Sequence, residues 1–476
     1  MSLLTSSLAD DIRQPSKAGS FYTADANELQ DQISKLLAAE SRTVEGKPTL
    51  LFVPHAGYFY SGATAAKAYK QVQGEQYDTV ILVGPCHRGD ITGAVIWDGA
   101  AWRSPLRETA IDRELAAKIA AEHPSFSLST NCHANEHSLE VQLPFLQQVL
   151  PDAKIVPILL NDRSMANKLA KAIAKHMNDK TLLVLSSDLS HFYTAERANE
   201  IDSIATETMR NQDPVKLREQ LDNNEVEMCG GAAYITGLYV GYELAHPKMY
   251  VLGYDHSGTA SGDNSRVVGY FSGAVTNTEA LTTSQQDTLL AYAKSVIRKH
   301  YGLSAEDIDI SDSAFDKVKG VFITLRSFPK GSEAEGPLRG CIGHILPVQS
   351  IREDVKEMTL SSALHDSRFP PVTKEELDSM TLEISILNPP KKIKSNKEIV
   401  FGMHGVVISK GSRSGVFLPE VAYHFNDKNE FLSELCSQKA GLPRDCWHDD
   451  KLGNGDQKTE LSTFTTQKTK TISLAG

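Results

Sequence analysis

Three short apolar runs limit the fold more than any other feature of the chain: TLLFVPH, ending at His55; DTVILVGPCH, ending at His87; and TLLVLSSDLSH, ending at His191. Between and around them lie stretches with helical apolar spacing, NELQDQISKLL with Leu29, Ile33, Leu36 and Leu37, then ATAAKAYKQV and MANKLAKAIAKHM. Strand-like runs alternating with amphipathic helices describe a sheet covered by helices, so the first domain is expected to be α/β. Open α/β sheets bind ligands in the crevice outside the carboxyl ends of their strands. Residues that carry chemistry follow three of these runs, which places them around one expected crevice.

The chain has 476 residues, more than one hydrophobic core normally supports. The polar stretch TNTEALTTSQQ breaks the pattern. Residues 1–276 are therefore read as a first domain, 277–285 as a linker, and 286–476 as a second domain that opens with the helical run DTLLAYAKSVIRKHYG. The second domain holds strand-like GVFITLRS, LEISIL and GVVIS, a helix through IREDVKEMTLSSALHD and a last helix near KNEFLSELCSQKAG, which makes it α/β or α+β.

With 49 Lys and Arg against 60 Asp and Glu, the formal charge of −11 gives no overall attraction to a phosphate backbone, and no nucleic-acid partner is expected. Six cysteines without CxxC spacing point to a reducing compartment. The N-terminus has no basic region followed by an apolar core, and no run of eighteen apolar residues occurs. A cytoplasmic protein without a membrane span is expected.

His55 and His87 are the first candidates for metal ligands, because imidazole is the commonest protein metal ligand and small residues after each let a ligand approach the backbone. Two imidazoles with an anionic third ligand leave open positions on Fe(II) or Zn(II). The residues leave that third ligand open among Cys229 in EVEMCGGAAY, Asp188 and His191 in VLSSDLSHFY, and Glu136, His137 and Glu140 in HANEHSLEVQLPFL. If the last segment is helical, His137 and Glu140 share a face, His133 and His137 form an i, i+4 pair, and Glu136 or His137 can act as a partner to the metal histidines. His191 is a candidate general acid/base with Asp188 orienting it, against the alternative that Ser186, Ser187 and Asp188 cap a helix. A Ser/His/Asp hydrolase built from the same residues lacks a GxSxG elbow.

RQPSKAGSFYTAD, PHAGYFYSGATAA, GPCHRG, NEHSLEVQLPFLQ, SSDLSHF and MCGGAAY together, in this order, resemble the Memo family. That family is similar in fold to class III extradiol dioxygenases, which hold a non-haem iron(II) with two histidines and a glutamate. The resemblance implies His55 and His87 as the histidine ligands and Cys229 as the third, with His191, Asp188 and His137 as catalytic candidates. A thiolate in place of the carboxylate softens the site toward copper or zinc as well as iron, so the ring-cleaving reaction does not carry over automatically. The resemblance implies a metal-dependent, dioxygenase-related oxidoreductase acting on an unidentified small molecule; the competing reading is a non-catalytic metal-, ligand- or peptide-binding module.

LRGCIGHI, SALHDSRFPPVTKEELDSMTLEISIL, GVVISKGSRSGVFLPEVA and GLPRDCW resemble the AMMECR-type domain, a two-part α/β fold. The resemblance implies a cleft near Arg339 and Cys341, lined also by Asp366, Arg368 and Phe369. By the residues alone, Cys341 is either a nucleophile favoured by Arg339 or a buried structural cysteine, and HDSRFPPV is a turn fixed by Pro370 and Pro371 with Arg368 in an ion pair. Both domain types occur beside a radical S-adenosylmethionine protein in the AmmeMemoRadiSam system. This chain has no CxxxCxxC arrangement, so that protein is an expected separate partner.

Overall fold

The computed structural model describes residues 11–130, 132–244, 248–277, 280–327, 336–455 and 457–475. It divides into two compact units, Met1–Glu279 and Ala280–Gly476, both mixed α/β.

The first unit is built on a nine-stranded sheet. Its strands are β1 (Pro48–Val53), β2 (Thr79–Gly84), β3 (Ala94–Ile96), β4 (Phe126–Leu128), β5 (Lys154–Leu160), β6 (Thr181–Ser186), β7 (His191–Tyr193), β8 (Lys248–His256) and β9 (Val267–Thr276). They lie in the order β7-β9-β1-β6-β2-β5-β3-β4, with β8 also on β9. The pairs β1–β6, β6–β2 and β2–β5 are parallel, and all six residues of both β2 and β6 are buried. This explains why these strands read as unbroken apolar runs: helices cover both faces, so no position faces water. The parallel arrangement also brings the carboxyl ends of β1, β2, β5 and β6 to one edge, where His55, Cys86, His87, Asn161 and Asp188 follow.

The covering helices include α1 (Ala26–Ala38), α2 (Tyr58–Lys70), α3 (Leu143–Val149), α4 (Ala166–His176), α5 (Ala195–Arg210) and α6 (Gly231–Glu243). α1 starts where Asp25 accepts the backbone N–H groups of Asn27 and Glu28, and it buries Leu29, Ile33 and Leu37. α6 is apolar nearly all round and buried over Gly231–Gly241, as a helix pressed on a sheet must be.

Two expectations about local structure change here. HANEHSLEVQLPFL is not one helix: residues 132–135 form a turn, Glu140–Gln142 a single 3-10 turn, and α3 begins only at Leu143 with Pro144 in its first turn. His133 and His137 therefore do not form an i, i+4 pair. Ser186, Ser187 and Asp188 cap no helix, because the chain goes on to β7 and α5 starts at Ala195, capped by Thr194.

In the second unit, α7 (Thr283–His300) begins upstream of the expected start, because Thr282 and Gln285 form a capping box inside the polar TTSQQ stretch. α8 (Ile351–Leu364) is capped in the same way by Ser350 and Glu353. The strands are β10 (Gly320–Ser327), β11 (Leu338–Gly343), β12 (Met380–Leu387), β13 (Lys391–Ile393), β14 (Gly405–Lys410), β15 (Arg413–Phe417), β16 (Glu460–Phe464), β17 (Thr466–Lys468) and β18 (Ile472–Ser473). One sheet runs β11-β10-β12-β17 with β18 on β12, and the other runs β13-β16-β14-β15. Each has its own core, one around Leu289, Ile323, Val355 and Ile384, the other around Ile408, Phe431, Leu432 and Leu461. The last expected helix is α-helical only over Lys428–Glu434 and continues as a π turn. Cys436 and Cys446 are joined by a disulfide; Cys86, Cys132, Cys229 and Cys341 are free. Among the described residues, no helix is long and apolar enough to cross a membrane.

Candidate metal centre

His55 follows β1 and is buried, with 1% of its surface exposed. Its backbone N–H donates to Asp188 Oδ1 at 2.7 Å, and its Nδ1 lies 2.8 Å from Ser186 Oγ. Ser186 donates its hydroxyl hydrogen to the Ser138 carbonyl at 2.7 Å, so it must accept from His55 Nδ1–H. The proton is thereby placed on Nδ1, and Nε2 keeps its lone pair. Burial, together with the neighbouring His137 and His87, holds the His55 pKa well below the ordinary imidazole value, so the ring is neutral, as a metal ligand must be.

His87 follows β2 and is fixed by Glu136. Its Nδ1 is 2.9 Å from Glu136 Oε1, and its backbone N–H donates to Glu136 Oε2. The same Oε1 lies 3.1 Å from His137 Nδ1 and accepts the backbone N–H groups of His137 at 2.8 Å and Ser138 at 2.9 Å. Burial pushes the Glu136 carboxyl upward, but these hydrogen bonds from His137, His87 and the backbone outweigh it and hold the group far below the usual carboxylate range. One ionised carboxylate thus holds the Nδ1 side of two histidines, the arrangement that orients metal-ligating imidazoles.

His55, His87 and His137 form the one group among the described residues in which three ligand atoms all lie within 4.8 Å of one another. The His87 and His137 rings stack with centroids 4.4 Å apart, and His55 stands nearly perpendicular to both at 5.2 Å. His55 is buried, His137 half-buried and His87 exposed, so the group sits at an opening. Three converging imidazoles suit zinc, iron, copper or nickel.

Cys229 precedes α6 and lies against His55, with Sγ 3.1 Å from Nε2. Its sulfur accepts the Asp188 N–H at 3.3 Å. The next residue must be glycine, because a Cβ at Gly230 would sit 2.3 Å from the Ser186 carbonyl oxygen. Burial and the Asp188 charge push the Cys229 thiol pKa far up. Asp188 is itself raised by burial, against the lowering effect of the His55 N–H and the nearby histidines.

A cavity of about 440 Å³ opens beside this group, lined by His137, Asp188, Phe21, Tyr60, Phe192, Arg266 and Tyr270 among others. Phe192 is held at φ 65° at the irregularity between β7 and β9, and Arg266 lies 5.2 Å from its ring centroid. His191 stands beside this wall with Nδ1 3.5 Å from Glu227. The expected candidates His55, His87, His137, Cys229 and Asp188 thus meet at one edge, and His191 is adjacent. His133 is elsewhere, buried with Nε2 3.0 Å from the Val95 carbonyl. Glu140 is an acceptor for buried Arg13 at 2.8 Å. The cavity residues Arg266 and Tyr270 carry no motif signal in the sequence. They are found only once β9 pairs with β1.

In the second unit, Arg339, Cys341, Asp366 and Arg368 meet around the backbone of Cys341. Asp366 accepts the Cys341 N–H at 2.8 Å and two guanidinium contacts from Arg368 at 2.7 and 2.9 Å, and Arg368 also donates to the Cys341 carbonyl at 3.0 Å. The hydrogen bonds from Arg368 hold the Asp366 pKa down to about 2. Arg339 binds both Glu376 oxygens and the Pro370 and Pro371 carbonyls, which fixes the diproline turn. Cys341 Sγ is 3.5 Å from Thr324 Oγ1.

Residues 13–274 match the model of the Memo-like protein family, and residues 290–468 match that of AMMECR1. A MEMO1 family protein of Methanobrevibacter smithii is 37% identical over 278 residues, covering 55% of this chain and 99% of the relative. One from Aquifex aeolicus is 35% identical over 263 residues, 54% of this chain and 97% of its own length. Among solved structures, the uncharacterized protein PH0010 from Pyrococcus horikoshii is 32% identical, covering 39% of this chain and 90% of its own, with a TM-score of 0.33.

Proposed function

Because the chain belongs to the Memo-like protein family through residues 13–274, with an AMMECR1 domain at 290–468, we propose that its first unit is a metal-dependent oxidoreductase related to the extradiol dioxygenases, acting on a small molecule in the cavity beside His137 and Asp188. The observation that supports this reading is the convergence of three imidazoles, one ring nitrogen of each lying within 4.8 Å of the others, with their Nδ1 atoms set against Ser186 and Glu136.

His55 and His87 are ligands under either arrangement of the site. Cys229 is the proposed third, supported by its 3.1 Å approach to His55 Nε2; its thiol proton would be released when an ion binds. A second arrangement, with His137 in that position, is supported by the mutual approach of the three histidines. Iron(II) is the proposed ion, and copper or zinc also suit the donors. When bound, the ion would supply an open coordination position and Lewis acidity.

The chain's own residues perform the remaining work. Glu136 and Ser186 hold the imidazoles in their ligating tautomers. Burial raises the affinity of Asp188 for a proton, and with His191 it forms the proposed acid/base pair at the cavity wall. Phe192 and Tyr270 give the cavity an aromatic wall, and Arg266 offers a cation to an anionic substituent.

A protein purified without oxygen should contain about one iron, copper or zinc ion per chain. It should consume dioxygen with a small-molecule substrate only when His55 and His87 are intact. Tight ligand binding without turnover would favour the binding-module alternative. We further propose, from the fusion of these two families, a cytoplasmic protein working with a separate radical S-adenosylmethionine protein. Failure of any such protein to co-purify under anaerobic conditions would count against that partner.

A further inference from the structure

Aromatic rings from four separate segments line the cavity beside His137: Phe21, Tyr60 from the first turn of α2, Phe192 from β7 and Tyr270 from β9. Phe21 lies against His137 with ring centroids 4.8 Å apart, so the aromatic lining reaches the histidine group. Phe192 is the extra residue where β7 pairs with β9, since His191 lies opposite Val268 and Tyr193 opposite Val267. At φ 65° it occupies the left-handed region, a costly place for a bulky side chain, yet its ring is 62% exposed. A strained residue that buries so little adds little to the core, and bulges of this kind re-aim side chains beside binding sites. Arg266 stands 5.2 Å from the Phe192 ring centroid, and among the described residues its guanidinium has no ion-pair partner. Asp263, on the same loop, uses Oδ1 to accept the Ser265 N–H at 2.9 Å and the Ser265 hydroxyl at 2.7 Å. The cavity wall thus carries an exposed ring held in place by strain and, against it, a cation that nothing neutralises.

We propose that Phe192 and Arg266 are the specificity-determining residues of this cavity, and that they select a planar aromatic ring bearing a carboxylate. The proposal rests on the reading of the cavity as the substrate site. The ligand ring packs against Phe192, where aromatic pairs gain beyond the area they bury. The guanidinium binds the carboxylate, whose two oxygens match the planar fork of arginine. A saturated acid of the same charge loses the first contact, and a neutral ring loses the second. Only a ligand with both features uses both residues.

The test is ligand-observed NMR titration of the full-length chain, as purified and again after chelation, with benzoate, cyclohexanecarboxylate and benzyl alcohol. In both states benzoate should bind about tenfold more tightly than benzyl alcohol, for its charge-assisted hydrogen bonds. It should bind about threefold more tightly than cyclohexanecarboxylate, for its stacking. Arg266→Met should abolish the first preference and Phe192→Gly the second. Glycine adopts φ 65° without strain, so Phe192→Gly should melt within about 3 °C of the wild type while losing its selectivity. A larger fall would mark Phe192 as a packing residue and overturn its role. Equal or absent binding of the three probes by the wild type, or preferences that survive the substitutions, would overturn the proposal. Benzoate binding that vanishes on chelation and ignores Arg266→Met would put the carboxylate on a metal ion, overturning this site and leaving the metal centre standing. Wild-type protein that carries no metal, yet binds benzoate through Arg266, would support this site and refute the metal centre.

Discussion

Replacing Glu140 by Gln tests how the metal-site loop is held, because the change keeps the shape and removes only the charge. Glu140 is fully buried, and its two oxygens receive five donors. Oε2 accepts from Arg13 at 2.8 Å, from the Ser16 N–H at 3.0 Å and from the Ser16 hydroxyl at 2.8 Å. Oε1 accepts from the Lys17 N–H and the Tyr22 hydroxyl, both at 2.7 Å. A glutamine amide turned either way points its NH₂ at a fixed backbone donor, Ser16 in one orientation and Lys17 in the other. It also leaves the Arg13 guanidinium buried without its counter-charge, although Arg13 keeps its bonds to the His133 and Glu136 carbonyls. Breaking a buried pair by removing one partner costs about 3–5 kcal/mol. At about 2–4 °C per kcal/mol for a unit of this size, the first unit's melting transition should fall by roughly 6–20 °C. Calorimetry of the full chain reads this directly, with Glu45→Gln, in an exposed pair with Lys248, as a control that should not move it. A loss below about 1 kcal/mol in Glu140→Gln would refute the reasoning, since it would mean the charge contributes no more than an ordinary hydrogen bond.

The same residue predicts an acid limb. Burial raises the Glu140 pKa, but Arg13 and the other donors bring it below the ordinary value, so its stabilisation is complete above the usual glutamate range and disappears as pH falls through the lowered folded value. The stability of Glu140→Gln should depend less on pH there. In the second unit, Asp366 is held down to about 2, so its contribution should be lost between about pH 4 and pH 2, and Asp366→Asn should flatten that window in acid-unfolding curves. Gly237→Ala in α6 would place a Cβ 2.0 Å from Leu185 Cδ1, so urea unfolding should show a loss of about 1–3 kcal/mol from overpacking.

The buried parallel strands were readable in advance because no residue in them faces water, so their apolar runs are unbroken. His55 and His87 were readable as neighbours because parallel strands end on the same side. The place of His137 was not. A helix read through HANEHSLEVQLPFL sets His137 on a face with Glu140, whereas the chain turns at residues 132–135 and lets Glu136 fold back onto two imidazoles. That turn depends on Arg13, over a hundred residues away, binding the His133 and Glu136 carbonyls, and no local pattern records it. For Ser186 the local sequence offers a helix cap as an alternative for the same reason. Its hydroxyl is occupied by His55 and Ser138, contacts that exist only once β1 and β6 pair. The polar TTSQQ stretch reads as linker by composition, yet it contains the capping box that starts α7.

The central claim is a metal ion held where β1, β2 and the Glu136 loop meet, and elemental analysis of anaerobically purified protein tests it most directly. The wild type should carry about one transition-metal ion, His55→Ala and His87→Ala should carry essentially none, and Cys229→Ala and His137→Ala should separate the two choices of third ligand by which of them loses it. Wild type and all four variants binding iron, copper and zinc equally would contradict the account.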